Sequence, residues 1–186
     1  MDFLNKFSHH KNKRFSSFRK ALEISKSRNL KTFVETGTSR GKKKFLFFSK
    51  YNWKDGMSTL IFAEYVKHIN GHLFTCDINP NNIKNAKKFV KMNEEFVSFI
   101  VEDSIFFLKN FKDNIDFLYL DSLDGQDPNS SEHQLKEIEA CYLKLHKNSL
   151  VLLDDKGAKT KLSLNFMLKN NFKILNETEE QILLSL

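Results

Sequence analysis

Cysteine, proline and glycine are scarce in this sequence. Its 186 residues include 2 Cys, 2 Pro and 6 Gly. So little proline and glycine excludes collagen-like and linker-like chains, and two cysteines are too few for the disulfide framework of a small secreted domain. Cys76 and Cys141 form no CxxC or Cys/His metal-binding pattern. We therefore expect a reducing environment, with both cysteines as small buried hydrophobic residues.

Long apolar runs are also absent. No stretch approaches the roughly 18 consecutive apolar residues that a membrane span requires, and the first residues, MDFLNKFSHHKNKR, lack the apolar centre of a signal peptide. We therefore expect no membrane span and a cytoplasmic location. The length suits one domain with a full core, and 40% hydrophobic with 28% charged residues is typical of a chain that folds.

Hydrophobic periodicity alternates between strand-like and helix-like segments. It predicts a basic, helical lead-in over residues 1–30 and a single domain over 31–186, with an insertion at about 42–55. Predicted strands cover 31–36, 72–77, 97–101, 115–120, 149–153, 172–175 and 181–186. Predicted helices cover 58–69, with Ser58 as a possible cap, and 80–93, 104–110, 132–146 and 162–169.

Strands that alternate with helices predict a mostly parallel sheet with helices on both faces, the Rossmann-like, doubly wound α/β class. The last two predicted strands are separated only by residues 176–180. A parallel crossover requires a dozen or more residues, so these two strands must form an antiparallel hairpin. The expected architecture is therefore a seven-stranded sheet that ends in a C-terminal antiparallel hairpin.

Polar residues follow the predicted strands, at the sheet edge where α/β proteins bind ligands. The first such segment, ETGTSRG, has GxxxG spacing, and Asp77 lies 40 positions after Gly37. The dinucleotide-binding fingerprint has GxGxxG and an acidic residue about 20 positions on, so NAD binding is disfavoured. A carboxylate at position 77 suits a ribose diol, with an N-cap role as the alternative. Asp103 and Ser104 suit an adenine, although Asp103 can equally cap a helix.

Five segments taken in order, ETGTSRG, CDINP, VEDS, DFLYLDSLDG and LVLLDD, resemble the class I S-adenosylmethionine-dependent methyltransferases, in particular small O-methyltransferases of the catechol type. The resemblance implies which residues contact each of four parts of S-adenosylmethionine: the methionine end, the ribose, the adenine and the sulfonium. Those residues are Glu35 and Gly37 for the methionine end, Asp77 for the ribose, Asp103 and Ser104 for the adenine, and Asp121 for the sulfonium, with Thr38 as a further cofactor-binding candidate. The chain departs from the family in its glycine spacing and in the insertion after Gly41.

Methyl transfer to a hydroxyl needs positioning and either a general base or a cation. Asp121, Asp154 and Asp155 are candidate Mg²⁺ ligands, because oxygen-only sets suit that ion. In the alternative, Asp121 faces the cofactor, one of the paired aspartates caps a helix and the other is solvated. His133 is a candidate general base, and Lys156 is a candidate to orient or deprotonate the acceptor. An exposed histidine and an ordinary loop lysine are the alternatives for these two.

Basic and aromatic residues are interleaved in the insertion 42–55, which suits a lid over an anionic or sugar-like acceptor, with a structural hairpin as the alternative. The chain has a net charge of +7, and its first 50 residues hold 14 Lys and Arg against 3 Asp and Glu. The basic character thus lies near the expected site entrance, which favours an anionic acceptor or partner over a nucleic acid. The sequence predicts methyl transfer to a hydroxyl of a small acceptor. The alternatives are a nucleic-acid methyltransferase and a noncatalytic nucleotide-binding module.

Overall fold

A computed structural model describes the backbone of residues 1–45 and 48–186, and the side chains of all of these except 42–50. Within these residues the strands are β1 (Thr32–Thr36), β2 (Lys42–Phe45), β3 (Phe48–Tyr51), β4 (His72–Asp77), β5 (Val97–Val101), β6 (Ile115–Leu120), β7 (Leu145–Asp154), β8 (Lys173–Glu177) and β9 (Gln181–Ser185). The α-helices are α1 (Phe15–Ser27), α2 (Ser58–Ile69), α3 (Pro80–Val90), α4 (Ser104–Asn110), α5 (Ser130–Cys141) and α6 (Lys161–Lys169).

Seven strands form one sheet in the order β5-β4-β1-β6-β7-β9-β8. The five strands from β5 to β7 in this order are parallel, whereas β9 is antiparallel to both β7 and β8. The predicted α/β fold, with a mostly parallel seven-stranded sheet and a C-terminal antiparallel hairpin, is confirmed. Because the parallel strands share a direction, their carboxyl ends bring the residues after β1, β4, β5, β6 and β7 to one edge.

The cap of α2 and the ends of α3 and α5 differ from the sequence prediction, since α3 ends at Val90. Met57, in the left-handed region, precedes α2 and makes no side-chain cap, while the Ser58 hydroxyl donates to Glu35 instead. The helix expected to reach His146 ends as an α-helix at Cys141, since β7 begins at Leu145 and pairs with Ile115. Tertiary pairing therefore overrides the helical periodicity of this segment.

Helices α1, α2 and α3 lie on one face of the sheet, and α4, α5 and α6 lie on the other. Alternate side chains of one strand enter different cores, as Phe33 and Val34 of β1 do. On the first face, the Phe62 ring packs edge-on against Phe18 and Phe117 at centroid distances of 5.2 Å. Such aromatic contacts add to the apolar burial that stabilises the sheet.

The N-terminal lead-in contributes to the first of these cores. A 3-10 turn over Asp2–Phe7 and the helix α1 place Leu4, Phe18 and Leu22 in full burial. The same cluster contains Phe33 of the sheet. The helix α1 also contacts β7, β8 and β9, so residues of the lead-in lie close to the end of β7.

The insertion forms an antiparallel hairpin of β2 and β3, followed by a 3-10 turn over Trp53–Asp55. The side chains of Lys42, Lys43, Lys44, Phe45, Phe47 and Phe48, which are part of the basis for the predicted lid, lie outside the described side chains. Trp53 stacks on His9 at a centroid distance of 5.3 Å, which ties the end of the insertion to the lead-in. No described helix has both the length and the apolar character needed to cross a membrane.

Candidate functional site

Three adjoining cavities lie along the edge formed by the carboxyl ends of the parallel strands. The large cavity, of about 560 Å³, is lined by Arg14, Arg40, Lys54, Asp55, Asp121, Asp124, Gly125, Gln126, Asp155, Lys156, Ala158, Lys159, Glu179 and Glu180. The middle cavity, of about 290 Å³, is lined by Gly37, Thr38, Ser39, Arg40, Asp55, Asp77, Ile78, Asn79, Asn82, Asp121, Ser122, Leu123, Asp124 and Asp127. The small cavity, of about 90 Å³, is lined by Gly37, Cys76, Asp77, Ile78, Asp103, Ser104, Ser122, Leu123 and His133.

Asp121 lines both the large and the middle cavity, and it directly follows β6. Gly37 and Asp77 line both the middle and the small cavity. The three cavities therefore form a continuous groove, with Asp121 at one junction and Gly37 and Asp77 at the other. Its length and its position at the strand ends suit an elongated ligand beside a second, smaller one.

Gly37 turns the chain tightly after β1. Its φ of +82° lies in the left-handed region, and a Cβ added there would overlap the backbone carbonyl of Asp121. Its N–H donates to Cys76 O at 2.9 Å, while Asp121 N donates to Thr36 O at 2.9 Å. Glycine is required here because a side chain would separate the two loops that form the floor of the groove.

Asp77 arranges the loops on both sides of it. Its Oδ2 accepts from Thr38 N at 3.2 Å and from the Asn82 side-chain amide at 2.9 Å, and its Oδ1 accepts from Asn79 N at 2.8 Å. Asn79, not Asp77, caps α3, because its side chain accepts from Asn81 N. Asp77 therefore faces the cavities with a fixed carboxylate, and the alternative of an N-cap role does not apply.

Glu35 lies behind the groove. Its side chain is fully buried and accepts from the hydroxyls of Ser58, Thr59 and Thr75 at 2.5, 2.7 and 2.6 Å. Burial raises the pKa of this carboxyl to about 7, although the three hydroxyl hydrogen bonds favour the ionised form. Glu35 is not among the residues that line the three cavities, so it supports the wall that was expected to contact the methionine end.

The small cavity brings Ser104 and His133 together. Ser104 Oγ lies 3.0 Å from His133 Nε2, and the buried Glu137 carboxylate lies 3.7 Å from that nitrogen. This carboxylate raises the pKa of His133. Asp103 also lines the cavity, but its side chain caps α4 by accepting from Phe106 N. His133 thus lies at the end of the groove far from the large cavity, which separates it from the acceptor-side position that the sequence suggested.

Asp121, Asp154 and Asp155 come together as predicted, with carboxylate oxygens within 4.8 Å of one another. Two cationic side chains are bound among them. Arg14 Nε donates to Asp154 Oδ1 at 2.7 Å, and its Nη2 donates to Asp155 Oδ1 at 2.7 Å. Lys159 Nζ donates to Asp121 Oδ1 at 3.2 Å and to Asp155 Oδ2 at 3.3 Å.

Asp121 and Asp154 differ in how readily they ionise, although they belong to the same cluster. Burial, followed by the nearby Asp154 carboxylate, raises the pKa of Asp121 well above its usual range. Burial opposes ionisation of Asp154 too, but the hydrogen bonds and charge of Arg14 outweigh it and lower the pKa. Asp154 is therefore a structural anion paired with Arg14, whereas Asp121 is a stronger base than an ordinary aspartate.

The carboxylates of the predicted Mg²⁺ set do not offer a free ligand shell. Each of the three is bonded to Arg14, Lys159 or both, and Asp154 is fully buried. Mg²⁺ is coordinated by oxygen ligands whose negative charge is not already neutralised by another cation. The side chains present therefore do not fit the ion, and the expectation of Mg²⁺ is not supported.

Cationic and anionic side chains are paired around the rim of the large cavity. Arg40 Nη2 lies 2.6 Å from Asp55 Oδ1, and Lys156 Nζ lies 2.7 Å from Glu177 Oε1. The pairing of Lys156 turns its ammonium toward β8 of the terminal hairpin. Five cationic residues face six acidic ones in the lining of this cavity, so the two signs nearly balance.

The groove contains most of the residues predicted from sequence and several that were missed. Of the predicted residues, it is lined by Gly37, Thr38, Asp77, Asp103, Ser104, Asp121, His133, Asp155 and Lys156. Glu35 and Asp154 lie behind its wall. Arg14, Arg40, Asn82 and Lys159 were not predicted. Lys159 follows Asp155 by four residues, a spacing from which an ion pair could have been predicted. Arg14 is 140 positions from Asp154, and no local pattern indicates that they pair.

Residues 53–156 match the model of a family described as a methyltransferase domain. No curated protein matches the chain significantly by sequence.

Similar solved structures include the O-methyltransferase NovP, with a TM-score of 0.68 and 12% identity over 93% of this chain and 79% of NovP. They include the Podospora anserina methyltransferase PaMTH1 bound to SAH (TM-score 0.61, 16% identity, 89% of this chain, 75% of that chain). They also include a rRNA methylase from Streptococcus thermophilus (TM-score 0.61, 12% identity, 96% of this chain, 98% of that chain). At these identities the likeness is one of fold.

Proposed function

The chain belongs to the methyltransferase-domain family, and from that membership we propose that it transfers a methyl group from S-adenosylmethionine to a hydroxyl oxygen of a small acceptor. The observation that carries the proposal is the position of Asp121. Four residues line both the middle cavity, where the glycine turn and Asp77 meet, and the larger polar cavity beside it: Arg40, Asp55, Asp121 and Asp124. Of these, Asp121 is the one that directly follows a strand of the parallel sheet. A group at that junction can contact both a cofactor and an acceptor.

The middle and small cavities suit S-adenosylmethionine. The turn at Gly37 admits a ligand close to the backbone, since a Cβ there would fill the space. Asp77 presents carboxylate oxygens to the same cavity, as two ribose hydroxyls require. Ser104 and His133 lie at the far end, where they would meet the adenine. Thr38 lines the middle cavity on the side of the methionine moiety.

The large cavity suits a neutral, hydroxylated acceptor such as a sugar. Its lining includes hydrogen-bond donors, among them Arg14, Arg40 and Lys54, and acceptors, among them Asp124 and Glu179. The near balance of charges leaves little net attraction for an anion. We therefore favour a sugar-like acceptor over the anionic one that the charge of the first 50 residues suggested.

Asp121 is assigned as the general base. S-adenosylmethionine, when bound, supplies a methyl carbon already activated by a sulfonium. Asp121 takes the proton of the acceptor hydroxyl, and its raised pKa makes it a better base than a solvated aspartate. Tyr119 donates to Asp121 Oδ2 at 3.2 Å, which fixes the orientation of the carboxylate. Of the other candidates, His133 lines the small cavity that we assign to the cofactor, and Lys156 lies at the rim of the large cavity.

A nucleic-acid methyltransferase is the second candidate. One feature favours it: Lys84, Lys87 and Lys88 are exposed on one side of α3, and Lys91, directly after the helix, is exposed too. Such a row suits phosphate contacts. The similar fold of a rRNA methylase makes the same candidate reasonable.

Transfer of tritium from methyl-labelled S-adenosylmethionine distinguishes the candidates. Nucleoside sugars and other hydroxylated small molecules form one set of acceptors, and total RNA forms the other. We expect label in the small-molecule fraction, with a linkage that resists mild base as a methyl ether does. Label in RNA that is lost on Lys87→Glu but unaffected by Lys156→Gln would instead establish the nucleic-acid candidate. Binding of SAH without transfer to either set would favour a noncatalytic module.

A further inference from the structure

Lys159 is the most deeply buried cationic residue of the groove. Its side chain is only 1% exposed, and its Nζ lies between Asp121 Oδ1 and Asp155 Oδ2. Buried lysines are rare unless they are paired, because removing an ammonium from water costs several kcal/mol. The two carboxylates supply that pairing.

The backbone around Lys159 delivers it to this position. Asp155 adopts a left-handed φ of +53° directly after β7, and Gly157 has a φ of +137°. The resulting turn brings Lys159 back toward Asp155, four residues before it. Gly125 N donates to Asp155 Oδ2 at 3.1 Å and holds that carboxylate in place from the opposite loop.

A divalent cation and the Lys159 ammonium would compete for the same oxygens. Asp121, Asp154 and Asp155 form an acidic trio. Two of its members, Asp121 and Asp155, line the large cavity, and both are bonded to Lys159. The third member, Asp154, is fully buried and held by Arg14. A metal ion could bind only if the ammonium left, since two cations that share the same carboxylate oxygens repel each other.

We propose that the Lys159 ammonium is the resident cation of this acidic trio, in the position a metal ion would otherwise take, and that the site works without a divalent metal. Lys159 acts as a positioning residue: its ammonium donates to Asp121 Oδ1 while the Tyr119 hydroxyl donates to Oδ2, and together they fix the carboxylate at the wall of the large cavity. The part of the inference that concerns methyl transfer rests on the proposed function. The part that concerns occupancy of the trio does not.

Titration with Mn²⁺, followed by the loss of the free-ion EPR signal, tests the occupancy. The proteins are the wild type, Lys159→Met and the matched control Lys161→Met, which changes an exposed lysine of α6. We expect Lys159→Met to bind Mn²⁺ with a Kd at least about 10-fold lower than the Kd of the wild type or of the control. Lys159→Gln serves as a second neutral variant if circular dichroism shows that the methionine variant is unfolded.

Wild-type protein that binds Mn²⁺ as tightly as Lys159→Met would overturn the proposal. Failure of both neutral variants to bind would also contradict it, because the vacated trio should then accept the ion. Turnover supplies the second readout. Wild-type kcat should be unchanged by EDTA, and Lys159→Met should lose kcat with little change in KM and recover part of it on addition of Mg²⁺. Absence of any methyl transfer would contradict the proposed function, while the Mn²⁺ titration would still decide the occupancy.

Discussion

Gly37 lies directly against the backbone carbonyl of Asp121, so closely that a Cβ at position 37 would overlap it. This contact joins the turn after β1 to the loop after β6. It places the glycine turn of the cofactor side next to the proposed general base. The first prediction follows from this contact.

Gly37→Ala should destabilise the fold more than Gly157→Ala does. Both glycines have positive φ, but a Cβ at Gly157 would meet no atom within 4 Å. Both substitutions place a Cβ on a residue of positive φ, but only Gly37→Ala adds a clash with the Asp121 backbone. We expect Gly37→Ala to lose about 1–3 kcal/mol more free energy of unfolding in urea than its control. Equal losses in the two variants would show that the loops are not in tight contact.

Asp77→Asn should weaken binding of SAH. An amide at this position replaces one acceptor oxygen with a donor, which conflicts with the N–H groups of Thr38 and Asn79 and with two ribose hydroxyls. We expect isothermal titration calorimetry to show a Kd raised about 10-fold or more. The control is Asp113→Asn, an exposed residue before β6. An unchanged Kd would place the ribose elsewhere.

Arg14→Met should cost far more stability than Arg19→Met. Arg14 is the partner of the fully buried Asp154, whereas Arg19 forms an exposed pair with Glu23. Leaving a buried carboxylate unpaired costs about 3–5 kcal/mol, and an exposed helical pair contributes about 0.3–0.5 kcal/mol. Chemical denaturation of both variants measures the difference. A loss below about 1 kcal/mol for Arg14→Met would indicate that the lead-in does not hold the site.

Stability should depend on pH through Glu35. Because the folded-state pKa is raised to about 7 from 4.5, the fold favours the protonated form. The associated stability is complete below pH 4.5 and is lost as pH rises toward 7, by an amount on the order of 3 kcal/mol. The Gln variant cannot titrate, so wild type should lose stability relative to Glu35→Gln over this range. Glu139→Gln, at an exposed position of α5, is the control. A constant difference between wild type and Glu35→Gln would contradict the assignment.

The succession of strands along the chain and the edge that carries the site could be predicted because both depend on local signals. Apolar runs ending in Asp77 and Asp121 mark strands whose carboxyl ends must meet in a parallel sheet. The end of α5 could not be predicted, since the pairing of Leu145 with Ile115 is a tertiary effect. Burial of Glu35 was equally hidden, because it depends on hydroxyls of Ser58 and Thr75 from other elements.

The electrostatics of the site depend on distant residues. Three aspartates at one edge suggest a metal when only the sequence near them is considered. The lead-in brings Arg14 to Asp154 across 140 positions, and the turn after β7 brings Lys159 to Asp121 across 38. These long-range pairings change the chemistry from that of a metal site to that of an ion-paired carboxylate, and periodicity or motif spacing carries no information about them.

Calorimetric titration with SAH, combined with turnover of the Asp121→Asn variant, tests the central claim most directly. We expect the wild type to bind SAH with one site per chain, and to gain about 2.7 kcal/mol of stability at 100 times the Kd. Asp121→Asn should retain this binding and lose methyl transfer to the acceptor. Absence of SAH binding by the wild type, or full turnover by Asp121→Asn, would contradict the account.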